Sequence, residues 1–171
     1  MKKQIVFITG KKGIGKTVVC RRLVDIAPVK IGPCGGVLTY KLAGGSMVVE
    51  DIATMKQMVL AGSQNAYRGP VIENYSFNPA AMRFRLDAIE HAMVHPLMVI
   101  DELGALEINP DSGGSALDLL SNASSGSRIV VVEENLLPDM IRLIGKPDNV
   151  FSVTFANRNV LPGRIIDTLK D

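Results

Sequence analysis

Residues Gly10-Lys11-Lys12-Gly13-Ile14-Gly15-Lys16-Thr17 constrain this chain more than any other segment. They fit the pattern G-x-x-x-x-G-K-[ST] and lie between an apolar run, Gln4–Thr9, and a helix-like stretch, Lys16–Ala27, which is the strand–loop–helix setting the pattern needs. The glycines let successive backbone N–H groups turn inward around phosphate oxygens, and the helix that follows presents its positive end to the same anion. Lys16 is expected at the β- and γ-phosphates, where its ammonium acts as a catalytic charge. The Thr17 hydroxyl is expected on Mg²⁺. The expected nucleotide-binding stretch is Gly10, Lys11, Lys12, Gly13, Ile14, Gly15, Lys16, Thr17 and Val18, with Lys11 and Lys12 either solvated or making auxiliary phosphate contacts.

Further β-branched runs at Leu97–Asp101, Arg128–Glu133 and Asn149–Thr154 alternate with helix candidates at Pro79–Val94, Ala116–Asn122, Pro138–Ile144 and Pro162–Leu169. This alternation predicts an α/β fold, a three-layer sandwich around a mostly parallel sheet. Asn78-Pro79 marks a helix start, since Asn caps free amides and proline fits the first turn. Gly35–Tyr40 and Met47–Ile52 flank Ala43-Gly44-Gly45-Ser46 and read as an added antiparallel hairpin. Periodicity leaves Ala53–Asn74 open between a helix face and an edge strand, and Asn109–Ser115 and Ser121–Ser127 read as polar loops. With 171 residues and 47% hydrophobic content the chain suits one domain spanning residues 1–171.

The second chemical signal is Leu97-Met98-Val99-Ile100-Asp101-Glu102, an apolar strand that runs into two carboxylates. Beside a phosphate loop this is the Walker B arrangement. Asp101 is expected at Mg²⁺, and Glu102 to orient a water for in-line attack on the γ-phosphate. Glu107 is either a supporting group behind that pair or an exposed acid. Cys20 and Cys34 lack a C-x-x-C arrangement, and His91 and His95 lack a third ligand, so neither pair indicates a metal site. Nineteen Lys+Arg against seventeen Asp+Glu give a net charge of +2, which lends no support to nucleic-acid binding. The apolar run after Met1-Lys2-Lys3 is too short for a membrane span or signal core, and the expectation is a cytoplasmic protein with no membrane contact.

Taken together, the strand, loop and helix of Ile5–Leu23, the Asp101-Glu102-Leu103-Gly104-Ala105-Leu106-Glu107 segment and the late Thr154-Phe155-Ala156-Asn157-Arg158 resemble the small P-loop nucleoside triphosphatases first associated with thermophiles and with the human cancer-related NTPase. The resemblance implies a RecA-like core and broad hydrolysis of ATP, GTP and other nucleoside triphosphates to diphosphates. It also implies that Asn157 and Arg158 lie near the nucleotide, with Arg158 contacting base or ribose or stabilising the transition state. Thr39-Tyr40-Lys41-Leu42-Ala43 departs from the family's Thr-Glu-Glu-Val-Arg-like segment. Tyr67-Arg68-Gly69-Pro70 only loosely echoes its Val-Gly-Lys-Tyr segment, and Glu133-Glu134 replace basic or small residues.

Two other functions would use the same loop. One is a nucleotide-dependent switch or accessory protein with weak hydrolysis, whose divergent hairpin region would contact a protein partner. The other is a small-molecule kinase, which needs a second substrate pocket and lid arginines. Arg83 and Arg85, on either side of Phe84, read instead as solvated faces of a helix.

Overall fold

The computed structural model describes residues 3–108, 116–122 and 126–170. In chain order the elements are β1 (Ile5–Thr9), α1 (Lys16–Lys30), β2 (Cys34–Lys41), β3 (Met47–Asp51), β4 (Gln57–Ser63), β5 (Val71–Ile72), β6 (Tyr75–Phe77), α2 (Pro79–Ala92), β7 (Leu97–Leu103), α3 (Ala105–Ile108), α4 (Ala116–Asn122), β8 (Ser127–Val132), α5 (Leu137–Ile144), β9 (Asn149–Ser152) and α6 (Leu161–Lys170). The polar loop expected at Asn109–Ser115 falls outside the described residues, as does the 123–125 part of the loop expected at Ser121–Ser127.

Alternate residues of the central strands serve two separate cores, which is why these strands read as continuous apolar runs. Val6, Ile8, Val99, Ile129 and Val131 pack with α1 and α6, whereas Phe7, Ile100, Val130 and Val132 pack with α2, α4 and α5. The result is the expected three layers. Among the described residues the strands form one sheet of nine in the order β5-β6-β4-β3-β2-β7-β8-β1-β9. The half from β2 to β9 is parallel, and the half from β2 to β5 is antiparallel.

Three local features differ from expectation. Residues Ala53–Asn74 do not form a helix: they supply β4, β5 and the turn into β6, so the antiparallel addition is a meander of which the expected hairpin is only the first part. That hairpin lies inside the sheet, with β2 paired to β7 and β3 paired to β4. Its strands are largely buried, and the turn around Leu42–Gly45 is the exposed part of the hairpin. Helix α1 runs past Pro28 to Lys30, three residues beyond the expected end at Ala27.

Elsewhere local chemistry and structure agree. Asn78 Oδ1 accepts a hydrogen bond from Ala80 N at 3.1 Å, with Pro79 opening α2. The β2–β7 pairing depends on Gly36, whose φ of +109° is in the glycine region and where any Cβ would collide with the Val99 carbonyl. This close approach brings the end of β2 against the acidic end of β7.

Candidate functional site

Strand β8 lies between β1 and β7 and sets their ends level. Ile8 pairs with Val131 and Ile100 with Val130, so Gly10 and Asp101 emerge at the same edge, beyond the carboxyl ends of the parallel strands. That edge is where open α/β sheets hold their ligands.

From β1 the chain enters the phosphate loop, where Gly10, Gly13 and Gly15 have φ of +143°, +78° and +106°. Gly15 precedes α1 without a side-chain cap, so the first-turn amides keep no side-chain acceptor, which suits them to an anion. Lys16 Nζ donates to Gly10 O at 2.7 Å and Lys11 O at 3.0 Å, which holds the ammonium at the loop. Lys12, Gly13, Gly15, Lys16, Thr17 and Val18 border a cleft whose opposite wall carries Asp101 and Glu102. Ile14 turns away into the α1–α6 core, Gly10 packs on the Val153 backbone, and the Lys11 side chain is exposed.

The acidic end of β7 is irregular in a way that serves the cleft. Ile100 opposes Val130 and Leu103 opposes Val132, so Asp101 and Glu102 together face the single residue Val131. This is a β-bulge, and within it Glu102 has φ +72°, a left-handed conformation that costs a glutamate about 1–2 kcal/mol. The bulge sends the two carboxylates apart: Asp101 is 2% exposed, Glu102 lies against the cleft wall with part of its surface open to solvent, and Leu103 returns to the core.

Asp101 Oδ2 accepts from Thr39 N at 3.3 Å, while the Thr39 hydroxyl donates to Asp101 O at 3.2 Å. Burial pushes the Asp101 carboxyl up to about 7; hydrogen bonds from Thr17 and Thr39 and the charge of Lys16 work against the rise, and Glu102 adds to it. At Glu102 the loss of water against the cleft wall raises the pKa above the usual glutamate value. Glu133 adds to the rise, while Lys41 and Arg85 oppose it.

A buried cluster holds this corner from behind. Arg85 on α2 forms an ion pair with Glu107 at 2.8 Å, the side chains being 4% and 2% exposed. Arg85 also donates to Glu102 O at 3.2 Å, and Glu107 Oε2 accepts from Gly104 N at 2.8 Å. The reading of Arg85 as a solvated residue is therefore corrected. It lies on the inward stripe Ala81-Arg85-Ala88-Ala92, a spacing of four, three and four that was visible in the sequence. Thr39 was also missed, because its role depends on a pairing between strands 62 residues apart.

Beyond β9, Asn157 folds its own turn: Oδ1 accepts from Thr154 N at 2.8 Å, and Nδ2 donates to Ser152 O at 2.8 Å. The turn brings Arg158 to the phosphate loop, where its Cδ and a guanidinium nitrogen lie 3.6 and 3.7 Å from the place a Gly15 Cβ would occupy. Its guanidinium also lies 5.2 Å from the centre of the Phe155 ring, an aromatic 71% exposed. Among the described residues no group of three or more His, Cys, Asp or Glu could hold a metal ion, and no helix is long and apolar enough to cross a membrane.

A protein-family model described as NTPase matches residues 5–166 of the chain. The nucleoside-triphosphatase THEP1 of Methanothermobacter thermautotrophicus is 30% identical over 172 residues, covering 97% of this chain and 96% of its own length. Among solved structures, THEP1 of the hyperthermophile Aquifex aeolicus superposes with a TM-score of 0.76 at 17% identity, covering 98% of this chain and 99% of that one. A human cancer-related nucleoside triphosphatase superposes at 0.69 with 21% identity, covering 98% and 97%. At such identities the two structural likenesses speak for the fold alone.

Proposed function

The chain belongs to this NTPase family, and on that footing we propose that it is a Mg²⁺-dependent nucleoside triphosphatase that converts ATP, GTP and other nucleoside triphosphates to diphosphate and phosphate. The observation that carries the reading is the single cleft bordered by Lys16 and Thr17 on one wall and by Asp101 and Glu102 on the other.

The donor set at the cleft suits a hard divalent cation. Thr17 and Asp101 offer only oxygens and are already hydrogen-bonded to each other, and Mg²⁺ in phosphoryl-transfer sites takes one or two such ligands beside the phosphates. Thr17 and Asp101 would hold the ion, which when bound neutralises charge developing on the phosphates. The amides from Gly13 to Val18 bind the phosphate chain, and Lys16 moves from its loop carbonyls to the β- and γ-oxygens. Glu102 accepts a hydrogen bond from water and aims it at phosphorus, taking the proton as the bond forms. Arg158 reaches the same loop from β9 and adds positive charge beside it, with Asn157 fixing the turn that carries it. The buried, unbridged Cys20 and Cys34 suit a reducing, cytoplasmic setting.

Phosphate release from ATP, GTP, CTP and UTP tests this reading. All four are expected to turn over within about tenfold of one another, because the loop grips phosphates and not bases, and a chelator is expected to stop release. Release that continues undiminished in chelator would remove the Mg²⁺ assignment. Arg158→Ala is expected to slow turnover by at least about tenfold, and unchanged affinity and rate would strip Arg158 of its role.

A further inference from the structure

The nucleotide cleft meets a second cavity, and Glu102 stands on the boundary between them. Lys12, Thr39, Lys41, Glu102 and Glu133 border both. The second cavity opens beneath the antiparallel half of the sheet, with walls that include Met47, Leu60, Ile72 and Phe77 and the ring of Tyr75. Access for water needs no such lining. An apolar and aromatic wall with a few polar groups converging at one end is the usual form of a site for an organic molecule.

The charges at this site indicate what kind of molecule it takes. Arg85 and Glu107 border the cavity but neutralise each other. Glu73, Glu102 and Glu133 also border it, and none of the three forms an ion pair among the described residues. Lys12 and Lys41 sit on the side shared with the phosphate loop, and Lys41 Nζ lies 5.1 Å from the centre of the Tyr75 ring. Glu102 and Glu133 lie on that same shared side and offset the two lysines, so among the described residues that border this cavity alone Glu73 carries the one unpaired charge, and it disfavours an anion there.

We propose that this cavity binds a second substrate, an uncharged or cationic alcohol with an apolar or aromatic body, whose hydroxyl takes the γ-phosphoryl group in place of water. The proposal rests on the triphosphatase reading of the adjoining cleft. The alcohol oxygen forms the new bond to the γ-phosphorus as its proton passes to the Glu102 carboxylate. The bond from that phosphorus to the oxygen bridging to the β-phosphate breaks, and its electron pair leaves on the nucleoside diphosphate. The other product is a phosphate monoester, and the proton on Glu102 returns to solvent. The structure thus supplies the second pocket that a small-molecule kinase needs and that no sequence motif announces. The chain would partition one phosphoryl group between water and alcohol.

The full chain would be incubated with Mg²⁺, ATP labelled in its γ-phosphate and, separately, adenosine, thymidine, phenylalaninol or adenosine monophosphate at millimolar concentration. Labelled ester is expected from the uncharged nucleosides or from cationic phenylalaninol, with phosphate release falling as ester rises. The anionic monophosphate is expected to serve at least about tenfold less well. Ile72→Trp fills the cavity away from the phosphate loop and is expected to cut ester formation at least about tenfold while phosphate release stays within about twofold. Tyr75→Ala, which removes the aromatic wall, serves as a second variant if Ile72→Trp does not fold. Wild-type protein that releases phosphate but labels none of the nucleosides or phenylalaninol overturns the acceptor site, as does ester formation indifferent to both variants. Wild-type protein that forms neither phosphate nor ester overturns the triphosphatase reading, and the acceptor site falls with it.

Discussion

Glu102→Gln is expected to leave nucleotide affinity unchanged while phosphate release falls about 10³-fold, the loss of a general base at an otherwise intact site. Affinity is expected to be spared because the proposed reading has the Gly10–Thr17 loop hold the phosphate chain, while Glu102 borders the same cleft without taking part in that grip. Glutamine keeps the shape of the side chain and its hydrogen-bonding reach, and loses only the ability to accept the proton. Release within about twofold of wild type would show that another group orients the water. A companion variant separates chemistry from backbone strain. Because Glu102 sits at φ +72°, Glu102→Gly is expected to be just as inactive yet more stable by about 1 kcal/mol, a rise of about 2–4 °C in melting temperature. Only glycine relieves the left-handed backbone. A glycine variant that melts below wild type would mean that contacts of the Glu102 side chain outweigh the strain, and the bulge would then not be a store of strain held for function.

The two halves of the site differed in how visible they were in the sequence, for a physical reason. The Gly10–Thr17 loop is eight consecutive residues, and the chemistry proposed for it is carried by backbone amides, so spacing alone points to it. The acidic end of β7 was visible as an apolar run meeting two acids, but nothing local shows that Asp101 and Glu102 share one opposing residue or that Glu102 is left-handed. That register is decided by β8, which follows β7 in the chain. Likewise the hydrogen bonds between Thr39 and Asp101 exist only because Gly36 lets β2 pack tightly on β7. In the stretch left open, β4 buries Leu60 and Ala61 in succession, so it shows neither alternation nor helical period, β5 spans only two residues, and β6 just beyond it only three. From this stretch Leu60, Ile72 and Glu73 supply one wall of the second cavity. That wall of the proposed acceptor cavity was therefore invisible until the meander was seen in place.

The Arg85–Glu107 pair carries the other large prediction. Arg85→Met leaves Glu107 buried without its cation, and a broken buried pair costs about 3–5 kcal/mol, so the melting temperature should fall by on the order of 10 °C. Arg85→Met with Glu107→Gln is expected to regain most of that loss. Glutamine can still accept the Gly104 amide, and no charge is left stranded. Activity should not return in step. Arg85 also holds the Glu102 carbonyl, so without it the bulge loses its outer anchor and Glu102 loses its fixed aim. The double variant is therefore expected to bind nucleotide with unchanged KM but to turn over about tenfold more slowly, a misplacement of the base and not a loss of fold. Stability and kcat recovering together would make the pair a purely structural one. Recovery of stability with kcat still depressed would identify Arg85 as the residue that positions Glu102, reaching the cleft through a backbone carbonyl.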